Sequence, residues 1–119
     1  MAFRGIRGAI TIEENTQLQI VEATKEILEA VISANKIKVE DIASVFFSVT
    51  KDLDAEFPAL AARQIGLTDT PLLCLNEISV PGSLPKCIRV LLHVNSEVAQ
   101  SKCQHIYLKD AIQLRPDIQ

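Results

Sequence analysis

From residue 87 onward the chain alternates: Ile88, Val90, Leu92 and Val94 are aliphatic, and Cys87, Arg89, Leu91 and His93 stand between them. A period of two is the signature of a β-strand, here with one wholly apolar face. The chain must therefore build a sheet that buries that face against a core. The opposite face carries Arg89. A guanidinium stays charged at any physiological pH, so on a strand this apolar it requires water or a bound anion. The whole segment, residues 81–94, reads as a polar turn (PGSLP) leading into this strand, and the functional question becomes which anion Arg89 serves.

A chain of 119 residues is expected to form one domain, 1–119, burying about two-thirds of its unfolded surface. Hydrophobic residues make up 48% and charged residues 23%, a balance that excludes intrinsic disorder. Aromatics are only 4%, so the core must be aliphatic. A net charge of −3 and a pI near 5.3 argue against a nucleic-acid-coating or membrane-binding surface. No apolar run reaches the ~20 residues of a membrane span. Three cysteines (Cys74, Cys87, Cys103) without a CxxC pair, and no signal peptide, point to a reduced, cytoplasmic protein. His93 and His105 are isolated and no metal-ligand spacing occurs. There is no glycine-rich phosphate loop, so neither metal nor cofactor is expected.

In chain order, residues 3–12 (FRGIRGAITI) alternate as a strand, with Arg7 flanked on its own face by Gly5 and Ala9. Small neighbours leave room beside a guanidinium for a ligand; a plain surface arginine is the bland alternative. Residues 16–34 carry an apolar stripe at helical period (Ile20, Val21, Thr24, Ile27, Leu28, Val31), with Thr16 and Gln19 fitting a capping box and Asn35 a left-handed C-cap. This helix is read as scaffold. Residues 42–49 form the next strand, with Ala43, Val45, Phe47 and Val49 on its apolar face and Ser44, Phe46 and Ser48 opposite. If it runs parallel to the first strand in one sheet, a right-handed crossover is implied. A short helix from Pro58 to Gly66 sets Pro58, Ala61, Ala62 and Ile65 on a packing stripe and Phe57, Leu60 and Arg63 on the outside. An outward phenyl ring, isobutyl group and arginine fit a partner subunit or a ligand. Residues 71–75 (PLLCL) and 105–108 (HIYL) are short strands, the latter holding the only tyrosine, Tyr107. Five strands and two helices give an α/β or α+β domain with a single mixed β-sheet.

Arg7, Arg89 and the pair Cys74 and Glu77 come from the ends or polar faces of separate strands. Converging arginines bind multiply anionic small molecules, because each guanidinium grips a carboxylate with two parallel hydrogen bonds. No nucleophile–base pair is evident. Any chemistry here uses little proton transfer and much electrostatic placement.

Six segments then occur in order: RGIRGAIT, TKDLDAEFPALAARQIG, PLLCLNE, VPGSLPKCIRVLLHV, HIYL and LRPD. Together they resemble the AroH-class monofunctional chorismate mutases over essentially the whole chain. The resemblance implies a homotrimer of α/β subunits forming a pseudo-α/β-barrel, with active sites at the subunit interfaces. It implies conversion of chorismate to prephenate in phenylalanine and tyrosine biosynthesis, with no cofactor. By the same resemblance, Arg89 contacts the ether oxygen and a carboxylate of chorismate, and Arg7 its carboxylate and hydroxyl region. Cys74 and Glu77 fall near the ring hydroxyl, and Phe57, Arg63, Tyr107, Leu114 and Arg115 complete the binding set. Leu60 stands where a lysine can stand in the family.

The chemistry fits the residues. Chorismate is a dianion that rearranges by an intramolecular [3,3] shift, and negative charge grows on the ether oxygen as the C–O bond breaks. A fixed cation there favours the transition state over the ground state. Two other readings compete: a Rid-type imine deaminase, compared on LPKCIRV, and a non-catalytic metabolite-binding trimer. The RGIRGA start and the segment from Tyr107 to Arg115 speak against the first, and the set Arg7, Glu77, Arg89 and Tyr107 against the second.

Overall fold

A computed structural model of the chain describes residues 2–114. Its order is β1 (Ala2–Thr11), α1 (Gln17–Ala34), β2 (Ile42–Val49), α2 (Ala59–Gln64), β3 (Leu72–Asn76), β4 (Cys87–Ser96) and β5 (Ile106–Leu108), with 3-10 turns at Val39–Asp41, Gln100–Lys102 and Lys109–Leu114. The five strands make one mixed sheet in the order β3-β2-β4-β1-β5, an α+β architecture. The Arg89 strand is central. β4 pairs antiparallel with β1 on one side and β2 on the other, while β3 runs parallel to β2 and β5 parallel to β1. β1 and β2 are thus parallel, the condition set for the strand–helix–strand unit, and β4 is inserted between them. No helix among the described residues is long and apolar enough to cross a membrane.

The aliphatic face of β4 is buried as its period requires. Ile88, Val90, Leu92 and Val94 join Ile6 and Ile10 of β1, Val45, Phe47 and Val49 of β2, and Ile20, Ile27, Leu28 and Val31 of α1 in one core cluster. Helix α1 lies so close to β1 that glycine is required at position 8. A Cβ there would sit 2.9 Å from Val31 Cγ2 and 3.1 Å from Ile27 Cγ1. Gly8→Ala is therefore expected to overpack this contact, destabilising the fold by about 1–2 kcal/mol and lowering the melting temperature by several degrees. Thermal unfolding by circular dichroism checks it, and an unchanged melting temperature would mean that the helix yields freely.

Local details depart from the sequence expectations in three places. Thr16 accepts from the Gln19 backbone N–H at 3.1 Å, but the Gln19 side chain reaches past Thr16 to the backbone N–H groups of Glu13 and Glu14, so the capping box is only half formed. Asn35 has φ −102°, and the left-handed residue is the next one, Lys36, at φ 52°. Asn35 instead uses its side chain, donating to the Val31 and Gln104 carbonyls and accepting from the Gln104 N–H. Finally, a register shift between Ile42 and Ser44 turns Ile42 into the core and leaves Ala43 exposed.

Both helices pack on one side of the sheet; the other side is open except where Ala111 and Leu84 cover Ala9 and Cys87. It carries Phe3, Gly5, Arg7 and Ala9 of β1, Arg89, Leu91 and His93 of β4, Ser44, Phe46 and Ser48 of β2, and Leu73 and Leu75 of β3. Phe3, Leu73 and Leu75 are each about half exposed or more, at 59%, 51% and 48%. His93 is held by stacking on Phe3, an edge contact with Phe46 and a 3.0 Å hydrogen bond with Ser44.

Candidate active site

Strand register assembles one row across the open face. Ser48 of β2 pairs with Arg89 of β4, Arg89 with Ala9 of β1, and Ala9 with Tyr107 of β5. Ala9, with its single methyl group, is fully buried in this row, packed with Cys87, Tyr107 and Ala111. One step along the strands lie Arg7 and its partner Leu91. Arg7, Ser48, Leu75 and Arg89 line a shallow cavity of about 370 Å³, floored by Phe46 and Leu91.

Glu77 enters this row from just beyond β3. Its backbone N–H donates to the Val49 carbonyl at 2.9 Å, which extends the β2–β3 pairing by one bond and fixes the residue. Its carboxylate oxygen Oε1 accepts from Ser48 Oγ at 2.7 Å and lies 3.4 Å from Arg89 Nε. Arg89 Nε is buried but has no hydrogen-bond partner, although the side chain as a whole is 42% exposed. The pair is thus close but not clasped, and the guanidinium remains available to an anion. In a partly buried site a cation of this kind interacts with charge more strongly than it would in water.

The start of β4 is anchored so that Arg89 is held in place. The Cys87 backbone N–H donates to Thr50 Oγ1 at 3.1 Å, the Thr50 hydroxyl donates to Asp52, and the Asp52 carboxylate accepts from the Lys86 N–H at 3.0 Å. Lys86 itself adopts a left-handed backbone, φ 50°. Below Arg89, Cys87 is buried with Ala9, Tyr107 and Ala111, and Leu84 and Leu114 pack against this second cluster. Burial pushes the Cys87 thiol up, opposed by the charge and hydrogen bond of Arg89. Cys87 is thus a neutral thiol that contacts the key arginine.

Of the residues singled out by sequence, Arg7, Glu77, Arg89, Tyr107 and Leu114 share this region. The others do not. Cys74 pairs with Phe47, so it lies on the helix side of the sheet and packs at the edge of the main core. It lines a separate cavity of about 370 Å³ with Phe57, Leu53 and Asn76. Phe57 is 69% exposed, and Arg63 is exposed on α2. Of the expected packing stripe, Pro58, Ala61 and Ala62 are buried and Ile65 is half-buried; on the expected outer side Phe57 and Arg63 are exposed and Leu60 is half-buried. Arg115 lies outside the described residues. Within one chain the candidate residues therefore form two half-sites, one around Arg89 and one around Phe57, Arg63 and Cys74. Ser48 and Cys87 were not singled out by sequence. Only the pairing of β2 with β4 reveals that Ser48 neighbours Arg89, and Cys87 reads as packing until Arg89 is seen against it.

Known proteins resemble this chain over nearly its whole length. Residues 3–118 match the family model described as chorismate mutase type I. A curated protein named chorismate mutase AroH from Thermus thermophilus is 51% identical over 117 residues, covering 98% of this chain and 96% of that protein. One of the same name from Bacillus subtilis strain 168 is 44% identical over 119 residues, covering 99% and 94%. A solved structure of a chorismate mutase from Clostridium thermocellum superposes with a TM-score of 0.89 at 50% identity, covering 90% of this chain and 96% of the other.

Proposed function

The chain belongs to the type I chorismate mutase family, and from that premise we propose how its own residues carry out the reaction. It is a chorismate mutase, an isomerase that rearranges chorismate to prephenate. The imine-deaminase and non-catalytic readings are not favoured by these relatives.

The observation that carries the mechanism is the state of Arg89, whose Nε is buried, unbonded and 3.4 Å from a carboxylate that another residue holds. Arg89 sits against the ether oxygen of chorismate and takes up the negative charge that grows as the C–O bond breaks. Arg7, on the same face, grips a substrate carboxylate. Glu77 accepts from the ring hydroxyl, and Tyr107 and Leu114 close the end of the row at Ala9. Held this way, the side arm lies over the ring in a near-attack geometry, which lowers the entropic part of the barrier. No external acid or base takes part, because the rearrangement moves no proton.

The second half-site belongs to a neighbouring subunit. Phe57, Arg63 and Cys74, which lie apart from Arg89 in one chain, reach the substrate of an adjacent copy in a homotrimeric pseudo-barrel, where Arg115 also contributes. Two features support this reading: the half-exposed apolar residues Phe3, Leu73 and Leu75 on the open face, and the outward side of α2. A cytoplasmic location accords with three free cysteines in a reducing compartment.

The test is the loss of chorismate absorbance with purified protein and no added cofactor, with prephenate identified as the product. Steady conversion is expected. A folded protein that leaves chorismate untouched would overturn the assignment, and imine hydrolysis or plain metabolite binding would then be assayed on the same pocket.

A further inference from the structure

The Arg89–Glu77 pair poses a physical problem that the family chemistry leaves open. A carboxylate and a guanidinium 3.4 Å apart in a partly buried site attract strongly, and a bidentate, charge-assisted clasp is the geometry they favour. Such a clasp would occupy the cation that the substrate needs. Yet Arg89 Nε has no hydrogen-bond partner, so something holds the carboxylate off. Among the described residues the side chain that hydrogen-bonds it is Ser48, whose hydroxyl donates to Oε1 at 2.7 Å, the same oxygen that faces Arg89.

We propose that Ser48 is a positioning residue that tethers Glu77 through Oε1, keeps it from closing on Arg89, and so leaves Oε2 to the substrate hydroxyl and the guanidinium to the substrate anion. This rests on the assignment of Glu77 and Arg89 to the substrate site. The placement suits the role. Ser48 is fixed by the β2 ladder beside Arg89, half-buried on the open face, and its hydroxyl is directed to the Glu77 carboxylate. Ser44, its counterpart on the same face, bonds His93 instead. Loss of the tether frees the carboxylate to clasp Arg89, and substrate must then displace it. The defect therefore falls on KM more than on kcat.

The test uses Ser48→Ala, Ser48→Val and Ser48→Thr with the full chain. Threonine and valine have nearly the same shape and both suit a strand, so they differ chiefly in the hydroxyl. Losing one hydrogen bond to a charged group corresponds to roughly a tenfold change. Ser48→Ala and Ser48→Val are expected to lower kcat/KM by about that factor, mostly through KM and with unchanged melting temperature, while Ser48→Thr stays within about twofold of wild type. In a Glu77→Ala background, Ser48→Ala is expected to add nothing, because residues acting through one another are not additive. Wild-type kcat/KM in both Ser48→Ala and Ser48→Val, or losses that simply add in the double variant, would overturn the role of Ser48. Wild-type kinetics in Glu77→Ala would overturn instead the site assignment beneath it.

Discussion

Arg89→Lys is expected to lose more than about a hundredfold in kcat, and Arg89→Ala about a thousandfold or more, with both proteins still folded. Removing one preorganised hydrogen-bond donor from a developing oxyanion costs about 2.7–4 kcal/mol, or roughly 10²–10³ in rate, and Arg89 supplies a full charge besides. The lysine variant separates charge from shape. Its ammonium is a point charge on a flexible stem, without the planar fork that meets an ether oxygen and a carboxylate together. It also lacks an Nε to lie beside Glu77, where Arg89 Nε now sits 3.4 Å from Oε1. The Arg89 side chain is 42% exposed and lies outside the main core, so the melting temperature should move little. The measurements are kcat and KM by chorismate absorbance alongside thermal unfolding of each variant. Arg89→Lys activity within tenfold of wild type would mean that charge alone suffices and that the fork is dispensable.

The same strand shows how far the sequence could be read. Alternation in residues 87–94 identified a buried face and an open face, and both are present. Local periodicity determines which way a strand's side chains point, because successive Cβ atoms must alternate. Periodicity does not reveal pairing. The row from Ser48 through Arg89 and Ala9 to Tyr107 depends on long-range register, which one strand cannot encode alone. Cys74 was grouped with Glu77 from their closeness in sequence, but the period of two sends Cys74 toward the helices, and Glu77 reaches Arg89 only from beyond the strand end. Ala43 escaped its expected face because a bulge shifts the register by one residue. Gly8 was read only as one position of the first strand, within residues 3–12. Its actual constraint is the approach of Val31 and Ile27 from α1, a contact that exists only in three dimensions. The resemblance to a family, by contrast, named candidate site residues without reference to any of this, since it draws on six motifs in order rather than on local physics.

A mixture of two crippled variants is expected to recover activity that neither has alone, if the two half-sites meet across subunits. Arg89→Ala disables the half-site on the open face, and Arg63→Ala the one on α2. Arg63 is exposed and would grip a carboxylate by charge-assisted hydrogen bonds, so its loss should cost roughly 10–10² in kcat/KM. In a closed ring with heterologous contacts, each site takes one half from one subunit and one half from the next. After co-refolding at equal amounts, about a quarter of the sites then combine an intact Arg89 with an intact Arg63 by random assembly. Activity should rise to about a quarter of wild type, several-fold above the mean of the two parents, and should appear only after subunits exchange. The mass in solution, from light scattering, should be that of three chains. If each active site were completed within one chain, every site would carry one defect, and the mixture would never exceed the mean of its parents however long the subunits exchanged. The outcome bears on the fold as well. The separation of Phe57, Arg63 and Cys74 from the Arg89 row is puzzling in a monomer. Recovery on mixing would make it the expected consequence of a sheet whose open face, bearing Phe3, Leu73 and Leu75, is covered by another copy of itself.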